Sequence, residues 1–429
     1  MSHLKKFKSN LNFFILVCIP IFYIIGNLFT NLIVLIAILN LVIFYRSKLF
    51  DVYENNKYLF FLIIIFVFLN SLTSDYKYFS FLKFSTFLRF LLFPLCIYLL
   101  ISNLEKKRKN LFFKLFVFII LFVIIDILIQ FSLGKDLFGF KYNYNYFRLS
   151  GPFGDEYIVG FYIFYFGIVS IAYLNELKVK KIYLFISMFV VSISVLLTGE
   201  RTSFFSSILF ILIFFLVSPK LWRYTLILFF SVITTFFIII DTSDKLSQKY
   251  SFNRMYNYQK SFDDKKNLKI KKLAEISKIQ DKTETIKKDL VTIYENNLWF
   301  AHFRGGISIF KDNIIFGSGF KTFRNSCRNY EDFKSVVCTT HPHNIYIEIL
   351  SDLGLIGIII FCSLIIYLNK IFFQKKGKNN FSRSLVFSLL LTFLFPLKTH
   401  GSLFTTNYAF VLAFLIGNYF YFHYLKEKG

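Results

Sequence analysis

About twelve long apolar stretches, separated by short polar segments, constrain this chain more than any other feature. They fall near 11–26, 28–45, 58–72, 81–101, 111–132, 157–174, 182–198, 203–218, 224–240, 344–369, 384–397 and 404–423. A helix needs roughly 20 apolar residues to cross about 30 Å of hydrocarbon, fewer where its ends are fuzzy. Lipid offers the backbone no hydrogen-bond partners, so each crossing must satisfy its own N–H and C=O groups. The expectation is an all-α polytopic membrane protein of about 12 transmembrane helices. With 56% of its 429 residues apolar, the chain is not an ordinary soluble globule.

The formal charge of +25 would point to nucleic acid in a soluble protein. Here the cations sit in short clusters between apolar runs: Arg46/Lys48/Lys57, Lys106 to Lys109, Lys178/Lys180/Lys181, Lys220/Arg223, Lys375/Lys376/Lys378 and Lys426/Lys428. The positive-inside rule places all of them in the cytoplasm when both termini are cytoplasmic. Topology thus absorbs most of the charge, and no nucleic-acid partner is expected. The first apolar run lacks a small-residue cleavage signature and reads as a retained helix. Segments 71–80, 132–156, 198–202, 241–343 and 398–403 then face outward, and every unusual polar motif lies on them. The division expected is 1–240 with transmembrane helices 1–9, 241–343 as a loop domain, and 344–429 with helices 10–12. Within the loop, Lys265 to Leu290 reads as amphipathic helix near the membrane surface. From Trp299 onward short helices and tight turns are expected.

Several outer residues carry chemistry. His341-Pro342-His343-Asn344 ends the long loop where an apolar span begins; imidazole titrates near neutral pH, and Asn344 is suited to cap the helix that follows. Thr198-Gly199-Glu200-Arg201-Thr202 opens another span, and Arg201 in its first turn opposes the helix dipole. Its guanidinium either snorkels beside Glu200 or binds two oxygens of a lipid-linked phosphate. Arg304 precedes Gly305-Gly306, which would let backbone approach a ligand. Arg148-Leu149-Ser150-Gly151-Pro152 lies at a span entrance, either lining an acceptor site or as a structured loop. Gly317-Ser318-Gly319 lacks the preceding strand of a dinucleotide site. Asp126, Arg89, Glu348 and Asp352 lie inside spans and should face protein or water. Metal-ligand spacings are missing, with no HExxH and no paired-cysteine pattern, and neither a metal nor another cofactor is expected. Cys327 and Cys338 share the loop and are a possible disulfide if it faces an oxidising compartment.

Together, Thr198 to Thr202, Arg304, Phe316-Gly317-Ser318-Gly319-Phe320, and His341-Pro342-His343-Asn344 followed by Tyr346, Glu348, Leu350, Gly354 and Gly357 resemble the bacterial O-antigen ligase and polymerase superfamily. The likeness runs from about Arg148 to Gly357. It implies a GT-C-like membrane glycosyltransferase of the inner (cytoplasmic) membrane, with a periplasmic loop over a cavity. That cavity would hold undecaprenyl-pyrophosphate-linked glycan, for metal-independent transfer to a sugar hydroxyl. The acceptor would be lipid A core or another lipid-linked repeat unit. Carried over, Arg201 and Arg304 would stabilise the pyrophosphate leaving group and His343 would be the general base. His341, Glu200, Arg148 and Asn344 would contribute to substrate binding, and a Cys327–Cys338 disulfide would brace the segment that delivers the histidines. The loop's 19 basic against 12 acidic residues suit an anionic ligand. The rival expectation is a transporter of polysaccharide or lipid-linked sugar, which would concentrate its polar residues at the bilayer midplane and show related halves.

Overall fold

The structure is a computed structural model and describes residues 2–143, 146–250, 298–330, 338, 341–374 and 381–424. The Lys265 to Leu290 segment lies outside them. The described residues form helices and no named strand: α1 Ser2–Ile25, α2 Asn27–Phe44, α3 Arg46–Thr73, α4 Lys77–Ser102, α5 Lys106–Leu133, α6 Val159–Glu176, α7 Lys181–Leu197, α8 Arg201–Val217, α9 Trp222–Thr242, α10 Asp244–Tyr250, α11 Leu298–Asp312, α12 Phe323–Cys327, α13 Ile345–Gln374, α14 Phe381–Phe393 and α15 Thr406–Tyr424. Seven helical stretches are long and apolar enough to cross a membrane, and four shorter ones, Phe61–Thr73, Lys181–Leu197, Arg201–Val217 and Phe381–Phe393, are apolar too. With α15 they fall one to one on the apolar stretches of the sequence. The chain is an all-α, multi-pass membrane protein.

Aromatic rings fill the bundle interior. Tyr23 of α1 stacks on Tyr162 of α6 (5.8 Å between centroids) and on Phe410 of α15 (5.5 Å). Phe166 lies 5.0 Å from Phe414, and Phe113 of α5 stacks on Tyr173 at 4.4 Å. Each such ring buries a large area, and offset stacking adds about 1 kcal/mol per pair. The outward faces stay apolar, as with Phe118, Ile227 and Leu216, which is what a lipid solvent requires. α6 is buried nearly all round and forms the central post, whereas α9 lies at the rim.

α13 is broken at Gly354, whose φ of 66° and ψ of −162° are non-helical. The break would orphan backbone groups inside the bundle, but 314–319 supplies the missing bonds. Leu355 N–H donates to the Ile314 carbonyl (2.8 Å), Ser318 N–H to Ser351 (2.9 Å) and Gly319 N–H to Asp352 (3.0 Å). Asn70 of α3 also donates to the Asp352 carbonyl at 3.0 Å. A Cβ on Gly317 would collide with the backbone of Asp352 to Gly354. The Phe316 to Phe320 motif therefore repairs a broken helix.

From Trp299 onward the expected short helices and turns are present, α11, turns over 313–322 and α12. The reading of Gly305-Gly306 as a place for ligand approach does not hold, because both lie inside α11. Gly306 packs against Pro342 and Ile347, where a side chain would not fit, so its glycine serves helix contact and not ligand approach.

Candidate active site

Two clusters meet where α8, α11, α13 and the 394–405 connection converge, at the end of the bundle that bears the long loop. The first is made of histidines. The His343 ring lies 4.2 Å from that of His341 and 4.7 Å from that of His302 on α11. His400, from the connection between α14 and α15, donates its backbone N–H to the His343 carbonyl at 2.8 Å, and His341 Nε2–H donates to the His400 carbonyl at 3.2 Å. His343 itself has a φ of 59°, a left-handed conformation uncommon outside glycine. Asn344 fixes that turn. Its Oδ1 accepts from the N–H groups of Tyr346 (2.9 Å) and Ile347 (3.2 Å), forming the expected cap, while its Nδ2 donates to the Pro396 carbonyl at 2.7 Å.

Burial, reinforced by neighbouring imidazoles, pushes His341 down to about 4 and His343 down to about 3. Burial and the charge of Lys398 push His400 down to about 2. All three rings are held neutral at pH 7. Among the described residues no group of three His, Cys, Asp or Glu side chains is arranged to hold a metal ion.

The second cluster is cationic. Arg201 donates Nε to the Lys249 carbonyl on α10 at 2.9 Å, and Nη2 bonds the same oxygen. Arg148 and Arg201 both lie within electrostatic reach of the Tyr250 hydroxyl. The loop bearing Arg148 is held by Leu149 N–H, which donates to the Thr198 carbonyl at 3.1 Å. Gly199 (φ 72°) has no room for a Cβ beside the Phe147 carbonyl, so a glycine in the Thr198 to Thr202 turn brings the two arginines together. Glu200 is occupied elsewhere. Its carboxylate accepts from Gly160 N–H (2.7 Å), Phe161 N–H (3.1 Å) and the Ser203 hydroxyl (2.9 Å), capping α6. Burial raises its pKa and the Arg148 charge opposes that rise.

A short bridge joins the clusters. The hydroxyls of Thr202 and Thr399 lie 3.3 Å apart, so Arg201 and His343 are connected through Thr202, Thr399 and His400. Arg304 is placed differently: it stands two residues beyond His302, roughly 200° round α11, off the face that packs on His343.

The sequence reading missed Lys398. Its Nζ donates to the Tyr165 hydroxyl at 2.9 Å and to Ser206 Oγ at 3.4 Å, and burial pushes it down to about 7. Nothing local marks this lysine; only its place between two apolar stretches, on the same side as the histidines, could have drawn attention to it. Cys327 and Cys338 are joined in a disulfide with Cα atoms 5.4 Å apart.

No curated protein matches the chain. Residues 184–362 match the family model described as O-antigen ligase. That segment contains Arg201, Arg304 and the whole block from His341 to Gly357, and the match supports, over this part of the chain, the expected resemblance to the O-antigen ligase and polymerase superfamily.

Proposed function

We propose that the chain is a metal-independent, inner-membrane glycosyltransferase that moves glycan from undecaprenyl pyrophosphate to a sugar hydroxyl on the periplasmic side. The observation that carries this reading is the linkage of a neutral His343 to Arg201 through Thr202, Thr399 and His400. A base and a phosphate-binding fork then sit on one hydrogen-bonded connection.

In the proposed step the acceptor hydroxyl loses its proton to His343 while its oxygen attacks the anomeric carbon. The bond from that carbon to the pyrophosphate oxygen breaks, and the charge developing on pyrophosphate is stabilised by Arg201, with Arg148 beside it; Arg304, off the α11 face that packs on His343, would join them only by turning its side chain toward the pyrophosphate. A pyrophosphate is already a good leaving group, so positioned cations supply what a divalent metal supplies elsewhere. An anion bound beside His343 raises its basicity at the moment it is needed. His341 holds the His400 backbone, and Asn344 and Glu200 support substrate binding by fixing the turns that carry His343 and Arg201. The GT-C-like assignment and the acceptors, lipid A core or lipid-linked repeat unit, belong to this same proposal.

Reconstituted protein with lipid-linked repeat units, run with and without lipid A core, tests it. Lengthening without core means polymerase, and transfer only to core means ligase. His343→Ala should lower kcat by about 100-fold or more. Undiminished transfer in that variant removes His343 as base, and no transfer by the wild type with either acceptor removes the function. A transporter would translocate the lipid-linked glycan unchanged and release no undecaprenyl pyrophosphate.

A further inference from the structure

The Arg148–Arg201 pair and the histidines leave a third group of cations unused. Arg89 lies twelve residues into α4, roughly 18 Å from its start, a costly position for a guanidinium that faces neither protein nor water. Its Nη2 donates to Asn31 Oδ1 of α2 at 2.9 Å and its Nη1 to the Thr86 carbonyl, while Nε is buried without a hydrogen-bond partner among the described residues. Lys83, on the same helix, has its ammonium 5.1 Å from the Phe79 ring centroid. The one ion pair between described residues joins Arg108 and Glu105, so neither Lys83 nor Arg89 is matched by a carboxylate among them.

Lys321 brings a third charge from the loop after Phe320. Its backbone is left-handed, with φ 58°, and its Nζ donates to the Phe404 carbonyl at 2.9 Å. Phe320 wedges the loop in place, 5.2 Å from Phe87 of α4 and 4.4 Å from Phe404. Lys321 lies within electrostatic reach of Lys83 and Arg89, as well as of Glu348 and Asp352. Those carboxylates are buried in α13, and Glu348 already accepts from Ser402 and from Leu403 N–H at 2.8 Å. Burial and the like charges push the Lys321 ammonium down, and an anion would relieve both. Lys321 also lies within electrostatic reach of His341. The group therefore borders the histidines from the α4 side, as Arg201 does from the α8 side.

We propose that Lys83, Arg89 and Lys321 form a second anion site that seats the phosphate of a lipid-anchored substrate. Resting on the glycan-transfer reading, this is the acceptor's site. A guanidinium fork with two ammoniums suits a phosphate better than a lone carboxylate. Phe81 and Leu82 on the same helix are exposed at 45% and 46%, leaving an apolar path for an acyl chain beside the charges. Two anion wells with one base between them fit transfer between two lipid-borne molecules.

The test uses the full-length protein in phosphatidylcholine nanodiscs, with photoactivatable phosphatidic acid as probe and inorganic phosphate as competitor. Lys83→Gln, Arg89→Gln and Lys321→Gln should each weaken labelling about tenfold, the size of one charge-assisted hydrogen bond. Arg89→Lys should restore part of it, and Lys106→Gln, at the start of α5, should change nothing. Inorganic phosphate at matching concentration should not displace the lipid. In the transfer assay Arg89→Gln should raise the acceptor KM about tenfold and leave the donor KM alone. Equal labelling across all variants overturns the site, and full displacement by inorganic phosphate overturns its lipid-borne ligand. The labelling needs no turnover, so an inactive wild type would remove the transferase reading while still judging this site.

Discussion

At the scale of the residue, His343 is defined by its surroundings more than by its own chemistry. Burial holds it at about 3 and His341 at about 4, while both titrate near 6.5 in an unfolded chain. With the neutral form as base in the proposed reaction, kcat/KM should stay flat as pH falls through 6.5, with its acid limb well below that value. An acid limb at 6.5 would mean an ordinary exposed imidazole. The same shifts set a direction for stability. The folded state holds these rings neutral where the unfolded chain already binds protons, so their stabilisation is complete above about pH 6.5 and is lost as pH falls toward about 4. Thermal midpoints in detergent should drop over that window, and His341→Gln should flatten the drop. For Arg201, replacement by Ala should cost about 100-fold in kcat, whereas Lys, which keeps charge but not the fork, should recover part of it. Arg304→Ala separates the two arginines, since Arg304 stands off the α11 face that packs on His343; an undiminished rate would remove it from the leaving-group site.

At the scale of the element, the broken α13 and the segment that mends it are one unit. The Gly354 break exposes backbone groups that Ile314 to Gly319 satisfy, and a buried group left unpaired costs about 1–3 kcal/mol. Gly317→Ala has no room for its Cβ and carries a φ of 73°, so it should lower the thermal midpoint and also displace Lys321 a few residues on. The disulfide closes the α12 side of the same region. Reducing a loop of this size removes about 3 kcal/mol of restraint on the unfolded chain, and Cys338→Ser should destabilise the segment leading to His341 without touching the His343 ring. The sequence marked these glycines as a pattern, and their work appeared only in three dimensions. Gly317 and Gly354 are separated by a helix and a loop, so nothing local says that one fills the other's gap.

At the scale of the whole molecule, periodicity and length sufficed to locate the spans, because lipid forces each helix to be self-sufficient and apolar. What stayed illegible was which polar side chains the packing gathers. Lys398 meets Tyr165 and Ser206, Arg89 meets Asn31, and Thr202 meets Thr399, and none of these pairs is close in sequence. Thr202, Thr399 and Lys398 lie at the end that bears the long loop, and this yields a prediction about orientation. If positive clusters stay in the cytoplasm, the Arg201–His343 end faces outward, toward the compartment where a disulfide such as Cys327–Cys338 persists. A membrane-impermeant thiol reagent on intact cells should then label Asp155→Cys, at the α6 entrance, and spare Lys107→Cys, at the start of α5. Permeabilisation should expose the second site. Labelling of Lys107→Cys in intact cells would invert the molecule, put the candidate base in the cytoplasm and leave a lipid-linked glycan on the outer leaflet beyond its reach.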